Sequence, residues 1–453
     1  MAQVQLATEA EETTRALAAW IAGAANDAPS PSALAWARHA LLDWLAVTIA
    51  GTAEPVAEIV RAEHAGRDDD RCTLIGTGKR ARPADAALVN GTTGHALDYD
   101  DVNAAMMGHP TAAVAPAVLA LAELEDARGD ELLAAIVVGH EVCAALGAMV
   151  GREHYERGFH ATGTVGTFGA AAACAALLKL DADRTEAALG LAATQAAGLK
   201  AMFGTMAKPF HAGRAAMSGL MAARLAARGL TAREGAVTRR QGFAATQSSS
   251  FAAQPVRPDP GAPFAVEATL FKYHAACYLT HSAIEAVRTV REREGLSLDG
   301  VARMTIYAPH SHRDVCDILE PGTGLEVKFS IRHLAALALD GADTADLALY
   351  TDAVAQDPRL GEARARIAFE GRELAQRHAA AVAIETTDGR TLVQECNVGV
   401  PADDVPAQWE RLCGKARTLA APILGAARTD ALIEAVDGLE GAPDLRVLMD
   451  AAR

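Results

Sequence analysis

A long run of helix-type hydrophobic periodicity constrains the fold of this chain most. From about Thr13 to Gly229, apolar residues recur at helical spacing, and glycines or turns with aspartate or proline separate the segments. The pattern includes AALVNGTTGHALDY and ELLAAIVVGHEVCAALGAMVG; the second is apolar on nearly every face, as in the central helices of a large bundle. The abundant alanine favours helix, and an aromatic content of 4% argues against a β-sandwich or barrel.

The pattern changes at the proline-rich segment QPVRPDPGAPF, which predicts a boundary loop. A helix is predicted at about 280–293, and VARMTIYA at 301–308 alternates as a strand does. FSIRHLAALAL at 329–339 is helical again. AAVAIETTDGRTLVQECNV then predicts a hairpin that turns at Asp388 and Gly389. This part of the chain is therefore expected to be a small α+β domain.

From about Ala407 the helical pattern returns. Because 453 residues are many for a single core, we expect two domains. The predicted fold is mainly α, with a large all-α helical domain from 1–268 and 405–453 and an inserted, smaller α+β domain at 269–404. A cleft between two such domains would be a natural binding site.

Charge and cysteine spacing argue against several functions. The formal net charge is −15, and no lysine- or arginine-rich run offsets it, so nucleic-acid binding is not expected. The seven cysteines are scattered without a CxxC pair, which argues against an iron–sulfur cluster or a structural zinc and suits a reducing cytoplasm. An anionic substrate would need a locally basic pocket within this acidic protein.

Two segments bear on location. The N-terminus is acidic and amphipathic and lacks the basic start and apolar core of a signal peptide, so a cytoplasmic protein is predicted. The most hydrophobic stretch, Leu132 to Val150, contains His140 and Glu141, which are unfavourable in a bilayer. We interpret this stretch as a helix buried within the protein, and we predict no membrane partner.

The segment GHALDYDDVNAAMMGHP collects His95, Asp98, Asp100, Asp101 and His109. Its DxDD pattern matches the acid of terpene cyclases, but those enzymes line their sites with aromatic residues, which are scarce here. The segment lacks the glycine and glutamate positions of a calcium loop. A zinc site could draw on His95, Asp98 and His109, although HxxD spacing is a common accident. Alternatively, Asp100 and Asp101 cap the next helix and hold the loop backbone.

Two further segments carry candidate groups. In HYERGFHATGTVGTFG, Tyr155 and His160 precede glycines spaced GxxGxxG, which predict close helix packing. The N-terminus of that helix also offers N–H groups to a carboxylate, and both interpretations can hold. In GTMAKPFHAGRAAMSG, Lys208, His211 and Arg214 place three cationic or potentially cationic groups close together. A buried lysine or arginine needs an anionic partner, and a substrate carboxylate would serve.

A fourth segment, FKYHAACYLTHSAIEA, contains His274, Cys277 and His281, of which the last could equally be an ordinary residue at a helix N-terminus. Taken together, the four segments offer bases and cations without metal-ligand spacing or a cofactor loop. This combination favours abstraction of a proton next to a carboxylate. Lysine, arginine and helix N–H groups would hold the enolate-like charge, and a histidine or aspartate would move the proton.

These motifs, in order along nearly the whole chain, resemble the MmgE/PrpD family. The resemblance rests on HALDYDD, GHPTAAVAPAVLALAE, YERGFHATGTVGTFGAAAA, GTMAKPFHAGRAA, YLTHSAIEA and EVKFSI. It implies a helical domain built from both ends of the chain, with the inserted α+β domain as a lid, and a homodimer. It also implies cofactor-independent chemistry on small polycarboxylates, by dehydratases such as 2-methylcitrate dehydratase, by decarboxylases of cis-aconitate, or by epimerases of iminodisuccinate.

Carried over by motif, the active-site positions of the family fall on Asp98, His109, His160 and Lys208. Tyr155 matches a tyrosine of the epimerase branch, where it could serve as one of two opposed acid/base groups. On this resemblance, His160 or Asp98 is the expected base, and His109 and Tyr155 are its acid/base partners.

Three departures argue against a decarboxylase. Val102 stands where that branch has a threonine, and Cys277 stands where it has a histidine. The separation of Asp98 and His109 is also one residue longer than in that branch, a feature shared with the epimerases. A further departure, at His274 and the residue after it, is expected to reshape the pocket, which would allow a substrate other than 2-methylcitrate.

The sequence therefore predicts a lyase, with dehydration as the default, epimerisation second and decarboxylation less favoured. The rival from another class is a non-catalytic helical ligand-binding protein. The partner would be a small anionic polycarboxylate, and neither a metal nor a cofactor is expected. The predicted catalytic residues are Asp98, His109, Tyr155, His160 and Lys208. The predicted substrate-binding residues are Thr164, His211, Arg214, His274, Cys277 and His281.

Overall fold

The computed structural model describes residues 2–24, 27–67, 69–253, 256–257, 259, 261–374 and 376–453, with side chains from Glu12 onward. The predicted proline-rich loop lies partly outside these residues. The chain forms two compact units, one consisting of Met1–Phe271 with Asp403–Arg453 and the other of Lys272–Ala402.

Helices dominate the first unit. Its helices before the second unit are α1 Ala2–Ala24, α2 Pro31–Ala50, α3 Pro55–His64, α4 Pro83–Gly94, α5 Pro110–Glu125, α6 Gly129–Glu156, α7 Ala161–Leu177, α8 Ala182–Ala193, α9 Ala207–Ala227 and α10 Phe243–Gln247. Those after it are α17 Val405–Leu424, α18 Ala426–Asp437 and α19 Arg446–Ala451. Proline begins five of them, α2 to α5 and α17 within its first turn, where its missing N–H costs no helical hydrogen bond.

The glycines of α7 allow its neighbours to approach closely, as the GxxGxxG spacing predicts. A Cβ at Gly163 would lie 2.6 Å from a backbone carbonyl oxygen, and one at Gly166 would lie 2.8 Å from the Ala113 Cβ of α5. A Cβ at Gly169 would lie 2.2 Å from the Cys143 sulfur of α6. Larger residues would force these helices apart, so the prediction of close helix packing is confirmed.

A similar close approach joins α4 to α9. A Cβ at Gly213 would lie 2.2 Å from the Thr92 hydroxyl, and one at Gly91 would lie 2.9 Å from the Gly213 Cα. This contact holds α9, which carries Lys208, against α4. The loop that follows α4 carries Asp98, Asp100 and Asp101, and we call it the aspartate loop. The helical pattern predicted to continue to Tyr99 is wrong at its end, because α4 stops at Gly94.

The apolar stretch predicted to be a buried helix lies within α6, which is interrupted at Gly151, where φ is +67°. Among the described residues, α6 is the one helix long and apolar enough to cross a membrane by length and composition, or one of two if the bent pair Pro31–Ala53 and Pro55–His64 counts as a single span. Of its most apolar window, 78% is buried inside the protein. This helix therefore lies in the core of the first unit.

The first unit also contains two small antiparallel sheets, which corrects the expectation that it is all-α. In one, β1 Cys72–Leu74 pairs with β2 Lys79–Ala81. In the other, β3 Val102–Asn103 pairs with β4 Thr269–Leu270. The second pairing places the end of this part of the first unit at Phe271 rather than at the predicted residue 268, because β4 is hydrogen-bonded to the segment after the aspartate loop.

The second unit combines one sheet with short helices. Its strands are β5 Val301–Pro309, β6 Ile367–Arg372, β7 Ala379–Thr386 and β8 Thr391–Asn397, and its helices are α11 His281–Glu294, α12 Arg313–Cys316, α13 Gly324–Val327, α14 Ile331–Asp340, α15 Asp352–Ala355 and α16 Pro358–Ala365. The strand order is β6-β5-β7-β8, with β5 and β6 parallel and the other pairs antiparallel. The predicted strand, helices and hairpin are confirmed. The sequence did not predict β6.

Candidate active site

The loop after α4 separates the three aspartates. A Cβ at Gly94 would lie 2.3 Å from the indole nitrogen of Trp44, so only glycine fits this crossing of α4 and α2. The chain then turns through Asp98, whose φ of +50° lies in the left-handed region, which aspartate tolerates better than most residues. The Asp98 side chain is 52% exposed, whereas Asp100 and Asp101 are buried.

Asp100 orients two histidines. Both of its oxygens lie 3.0 Å from Nδ1 of His95, and one lies 3.2 Å from Nδ1 of His109. Burial alone would raise the pKa of the Asp100 carboxyl, but the two imidazoles hold it well below its usual value. An ionised carboxylate only accepts hydrogen bonds, so Nδ1 of His95 carries a proton. Burial lowers the pKa of His95 to about 4, and this ring is therefore neutral near pH 7.

His109 lies between the exposed Asp98 and the buried Asp100. It immediately precedes α5, and its backbone N–H donates to the Thr162 hydroxyl at 3.1 Å. Its Nδ1 faces the buried Asp100, and its Nε2 lies 3.6 Å from the more exposed Asp98. A histidine held by a buried carboxylate on one nitrogen has the other available for proton transfer.

Lys208 supplies the positive charge of the site. It lies in the first turn of α9, where the helix dipole is unfavourable for a cation, and its ammonium group is 2.9 Å from Asp98. The same ammonium lies 5.5 Å from the ring centre of Phe203. The Lys208 side chain is only 15% exposed, so solvent reaches its ion pair with Asp98 mainly from the aspartate side.

His160 caps the N-terminus of α7, beside the other imidazoles. Its Nδ1 lies 3.0 Å from Nδ1 of His211, so one nitrogen donates and the other accepts. Its ring stacks on His95 at 5.8 Å and meets the edge of Phe203 at 5.0 Å. Burial lowers the pKa of His160 far below that of free histidine, and the charge of Lys208 lowers it further. His160 is therefore neutral near pH 7.

The structure thus brings together four of the five predicted catalytic residues, and His211 with them. We call the ionisable cluster the set His95, Asp98, Asp100, His109, His160, Lys208 and His211. Burial, and then Lys208, lower the pKa of His211 as well. The cluster combines a fixed cation, two carboxylates and four imidazoles, which are the groups needed to bind an anion and move a proton.

Three other predicted residues make different contacts. Tyr155 contacts Lys200, whose ammonium lies 3.7 Å from the ring centre and donates to the Tyr155 carbonyl oxygen. The Thr164 hydroxyl, in the first turn of α7, lies 2.8 Å from Nε2 of the buried His154 and donates to the carbonyl oxygen of His160 at 3.3 Å. Arg214 is exposed on α9, and within the described part of the chain it has no contact with the ionisable cluster. Its predicted pairing with Lys208 at a substrate carboxylate therefore has no support in this geometry.

The remaining predicted residues lie in the second unit. His274 is buried, with Nδ1 2.7 Å from the Thr344 hydroxyl and Nε2 2.8 Å from Glu285. His281, at the start of α11, has Nε2 3.3 Å from a backbone carbonyl oxygen, and burial holds its pKa well below the usual value. Cys277 is half-buried and lies outside any disulfide, and its thiol interacts with that of Cys316. All three have roles within this unit's own packing, and substrate binding by them stays a prediction.

Four members of the cluster could hold a metal ion by distance. One ligand atom from each of His95, Asp98, Asp100 and His109 lies within 4.8 Å of the others. The chemistry of this set fits a metal less well than the distances do. Asp98 is already paired with the ammonium of Lys208, and Asp100 is held by imidazole. A divalent ion would have to displace this lysine.

Sequence reasoning missed several residues around the cluster. The sequence gives no reason to separate Asp100 from Asp101, but only Asp100 contacts His95 and His109. Asp101 accepts a hydrogen bond at 2.6 Å from Thr111, whose hydroxyl lies 2.9 Å from Nε2 of the buried His140. Lys415, from the far end of the chain, donates to the backbone of this same loop. The sequence spacing of Asp100 from His95 and His109 does not predict these contacts, because neither spacing matches a helical or strand period.

Comparisons with known proteins identify the family of this chain. The MmgE/PrpD N-terminal domain matches residues 15–255, and the MmgE/PrpD C-terminal domain matches residues 274–440. A cis-aconitate decarboxylase of Aspergillus terreus is 26% identical over 95% of this chain and 94% of its own. The human cis-aconitate decarboxylase is 29% identical over 82% of this chain and 79% of its own. A cis-aconitate decarboxylase-like protein of Aspergillus oryzae, oryM, is 36% identical over 42% of each chain. The chain therefore belongs to the MmgE/PrpD family and is an enzyme of the lyase type.

Proposed function

We propose that this enzyme removes a proton next to a carboxylate of a small polycarboxylate and expels water, without a metal or cofactor. The observation that carries the proposal is the continuous contact from Lys208 through Asp98 and His109 to the buried Asp100. It places a cation and an oriented histidine on either side of one carboxylate. The names of the relatives support a polycarboxylate as the substrate class.

Lys208 would bind a substrate carboxylate. Its ammonium has three donors, of which Asp98 occupies one side at 2.9 Å. The substrate anion would share this lysine, and Lys208 would then stabilise the charge that develops on the same carboxylate as the neighbouring proton leaves.

His160 or Asp98 would accept the proton. The pKa of His160 is low in the free enzyme because of burial and the nearby Lys208. A bound carboxylate offsets the charge of the lysine and raises that pKa, so the imidazole becomes a better base when substrate is present. The proton passes to the base, the electron pair forms the carbon–carbon double bond, and the hydroxyl group leaves.

His109 would protonate the leaving hydroxyl, so that it departs as water. The buried Asp100 holds its Nδ1 side and leaves Nε2 facing the more exposed Asp98. A carboxylate behind a histidine fixes the ring orientation. This makes His109 the acid of the reaction and Asp100 the residue that orients it.

Decarboxylation is the second candidate, and the relatives named cis-aconitate decarboxylase favour it. In that outcome, carbon dioxide leaves and the resulting carbanion takes up a proton. Val102 and Cys277 argue against it, because they replace a threonine and a histidine of the decarboxylase branch. Epimerisation needs two opposed acid/base groups, and the contact of Tyr155 with Lys200 does not support the tyrosine as the second group.

An NMR screen in D₂O tests the proposal on citrate-like, aconitate-like and aminodicarboxylate compounds. Formation of an alkene with loss of water supports dehydration. Release of carbon dioxide points to decarboxylation, and deuterium exchange without net conversion points to epimerisation. Lys208→Met and His160→Asn should each abolish turnover. The control Lys179→Met, which removes an exposed lysine paired with Glu131, should not. Unchanged turnover in both site variants would overturn the assignment.

We also propose a homodimer, on the family resemblance. Light scattering coupled to size exclusion should give twice the mass of one chain, and a monomer at micromolar concentration would contradict this proposal.

A further inference from the structure

A buried lysine from the C-terminal part of the chain reaches the loop that carries the catalytic aspartates. Lys415, on α17, has its ammonium 2.6 Å from Asp43 on α2 and 2.9 Å from the carbonyl oxygen of Tyr99, to which it donates. The ammonium also lies 4.0 Å from the ring centre of Tyr99. The side chains of Lys415 and Asp43 are 2% and 0% exposed, and Tyr99 is buried as well. Three parts of the chain therefore meet at this one cation.

Stability alone does not explain this arrangement. Removing two charges from water is costly, and an apolar pair of similar volume often stabilises a protein as well or better. An apolar pair would leave the Tyr99 carbonyl oxygen without this donor. A lysine supplies what an apolar residue cannot, since it neutralises Asp43 and fixes the Tyr99 peptide at the same time.

The position of Tyr99 matters because it lies between Asp98 and Asp100. The preceding Asp98 is in the left-handed region, at φ +50°, so its orientation depends on the peptides that flank it. Asp98 contacts Lys208 at 2.9 Å, and Asp100 lies 3.2 Å from His109. A shift of the Tyr99 peptide would displace both carboxylates from their partners.

We propose that Lys415 is a positioning residue for the reaction: it holds the Tyr99 peptide so that Asp98 and Asp100 keep their geometry, and it does not contact the substrate. This inference rests on the proposed function of the ionisable cluster. It assigns the C-terminal segment a part in the site, although its sequence carries no catalytic motif.

The test is a double variant, Lys415→Met with Asp43→Leu, which removes both charges together and approximately keeps the volume. The matched control is Gln408→Leu. Gln408 lies on the same helix as Lys415, and its amide bonds His39 on the same partner helix at 2.9 Å, without touching the loop. We expect the double variant to melt close to the wild type but to lose about 10- to 100-fold in kcat, with KM changed much less. We expect Gln408→Leu to melt lower and to keep its kcat.

Two kinetic results would each overturn the proposal. One is a folded double variant whose kcat equals that of the wild type. The other is a loss of kcat that follows the melting temperature across all variants, including Gln408→Leu, as a purely structural role predicts. Hydrogen exchange of peptides covering residues 95–101 gives a readout that needs no substrate. Exchange should be faster in the double variant and unchanged in the control. If the wild type converts no compound of the panel, the proposed function fails, whereas unchanged exchange in the double variant refutes the positioning role by itself.

Discussion

Replacement of each neighbouring aspartate by asparagine should separate an orienting role from a structural one. Asp100 and Asp101 are adjacent, both are buried, and the sequence gives no reason to treat them differently. In the structure Asp100 contacts His95 and His109, whereas Asp101 accepts from Thr111. We expect Asp100→Asn to lose most of its turnover and Asp101→Asn to be nearly as active as the wild type.

The magnitude follows from the contacts of Asp100. Its carboxylate faces two imidazole Nδ1 atoms at 3.0 Å and 3.2 Å. An asparagine offers one acceptor oxygen and an N–H₂ group that cannot accept, so one histidine loses its partner and meets a donor instead. Loss of an oriented acid costs about 10²- to 10⁴-fold in kcat, or about 3–5 kcal/mol in activation free energy.

Asp101 provides the matched control because its pKa is shifted in the opposite direction to that of Asp100. Burial, and then the nearby Asp100 and Asp43, raise the pKa of Asp101 well above its usual value, the opposite direction to the shift at Asp100. Asparagine resembles a protonated carboxylic acid in shape and charge. We therefore expect Asp101→Asn to keep kcat within about threefold, since no transition-state interaction is removed.

The assay is steady-state turnover of the substrate found in the NMR screen, with thermal melting to show that each variant is folded. Equal losses in the two variants would refute the reasoning, as would an active Asp100→Asn enzyme. A loss confined to Asp101→Asn would mean that the Thr111 network, not the His109 contact, controls the chemistry.

Three further predictions follow from the same structure. Burial lowers the pKa of His95 to about 4 and of His140 to about 3. As the pH decreases below about 6.5, the unfolded chain takes up these protons before the folded protein does, so the free energy of unfolding decreases. At pH 5 each of these two histidines should lower the free energy of unfolding by about 2 kcal/mol, which urea unfolding can measure. A free energy of unfolding that stays constant down to about pH 4.5 would contradict this prediction. Gly169→Ala should lower the free energy of unfolding by about 1–3 kcal/mol, because the added methyl group overpacks the contact with Cys143. Gly414→Ala, where nothing lies within 4 Å, should gain about 0.5–1 kcal/mol, and the reverse order would refute the packing argument. Dialysis against EDTA should leave kcat unchanged because Lys208 already supplies the positive charge; a loss restored by Zn²⁺ would show a metal enzyme.

The sequence by itself determined the fold class and most of the ionisable cluster. Hydrophobic periodicity is a local property, so it predicts the central helices and the hairpin at Asp388 and Gly389 without knowledge of the packing. The motifs that carry Asp98, His109, His160 and Lys208 could be identified for the same reason, since each is a short segment. The structure brings these four residues together.

Only the tertiary structure decided what each group contacts. Gly94, the last residue of α4, packs against Trp44 of another helix, a contact that no local pattern records. The same is true of Arg214, which shares a motif with Lys208 but is exposed on another side of α9. Lys415 and Tyr99 are 316 residues apart, and their hydrogen bond exists because α17 packs against α2. Side-chain direction and burial arise from packing between distant segments, and they separate Asp100, which orients the histidines, from Asp101, which holds the loop.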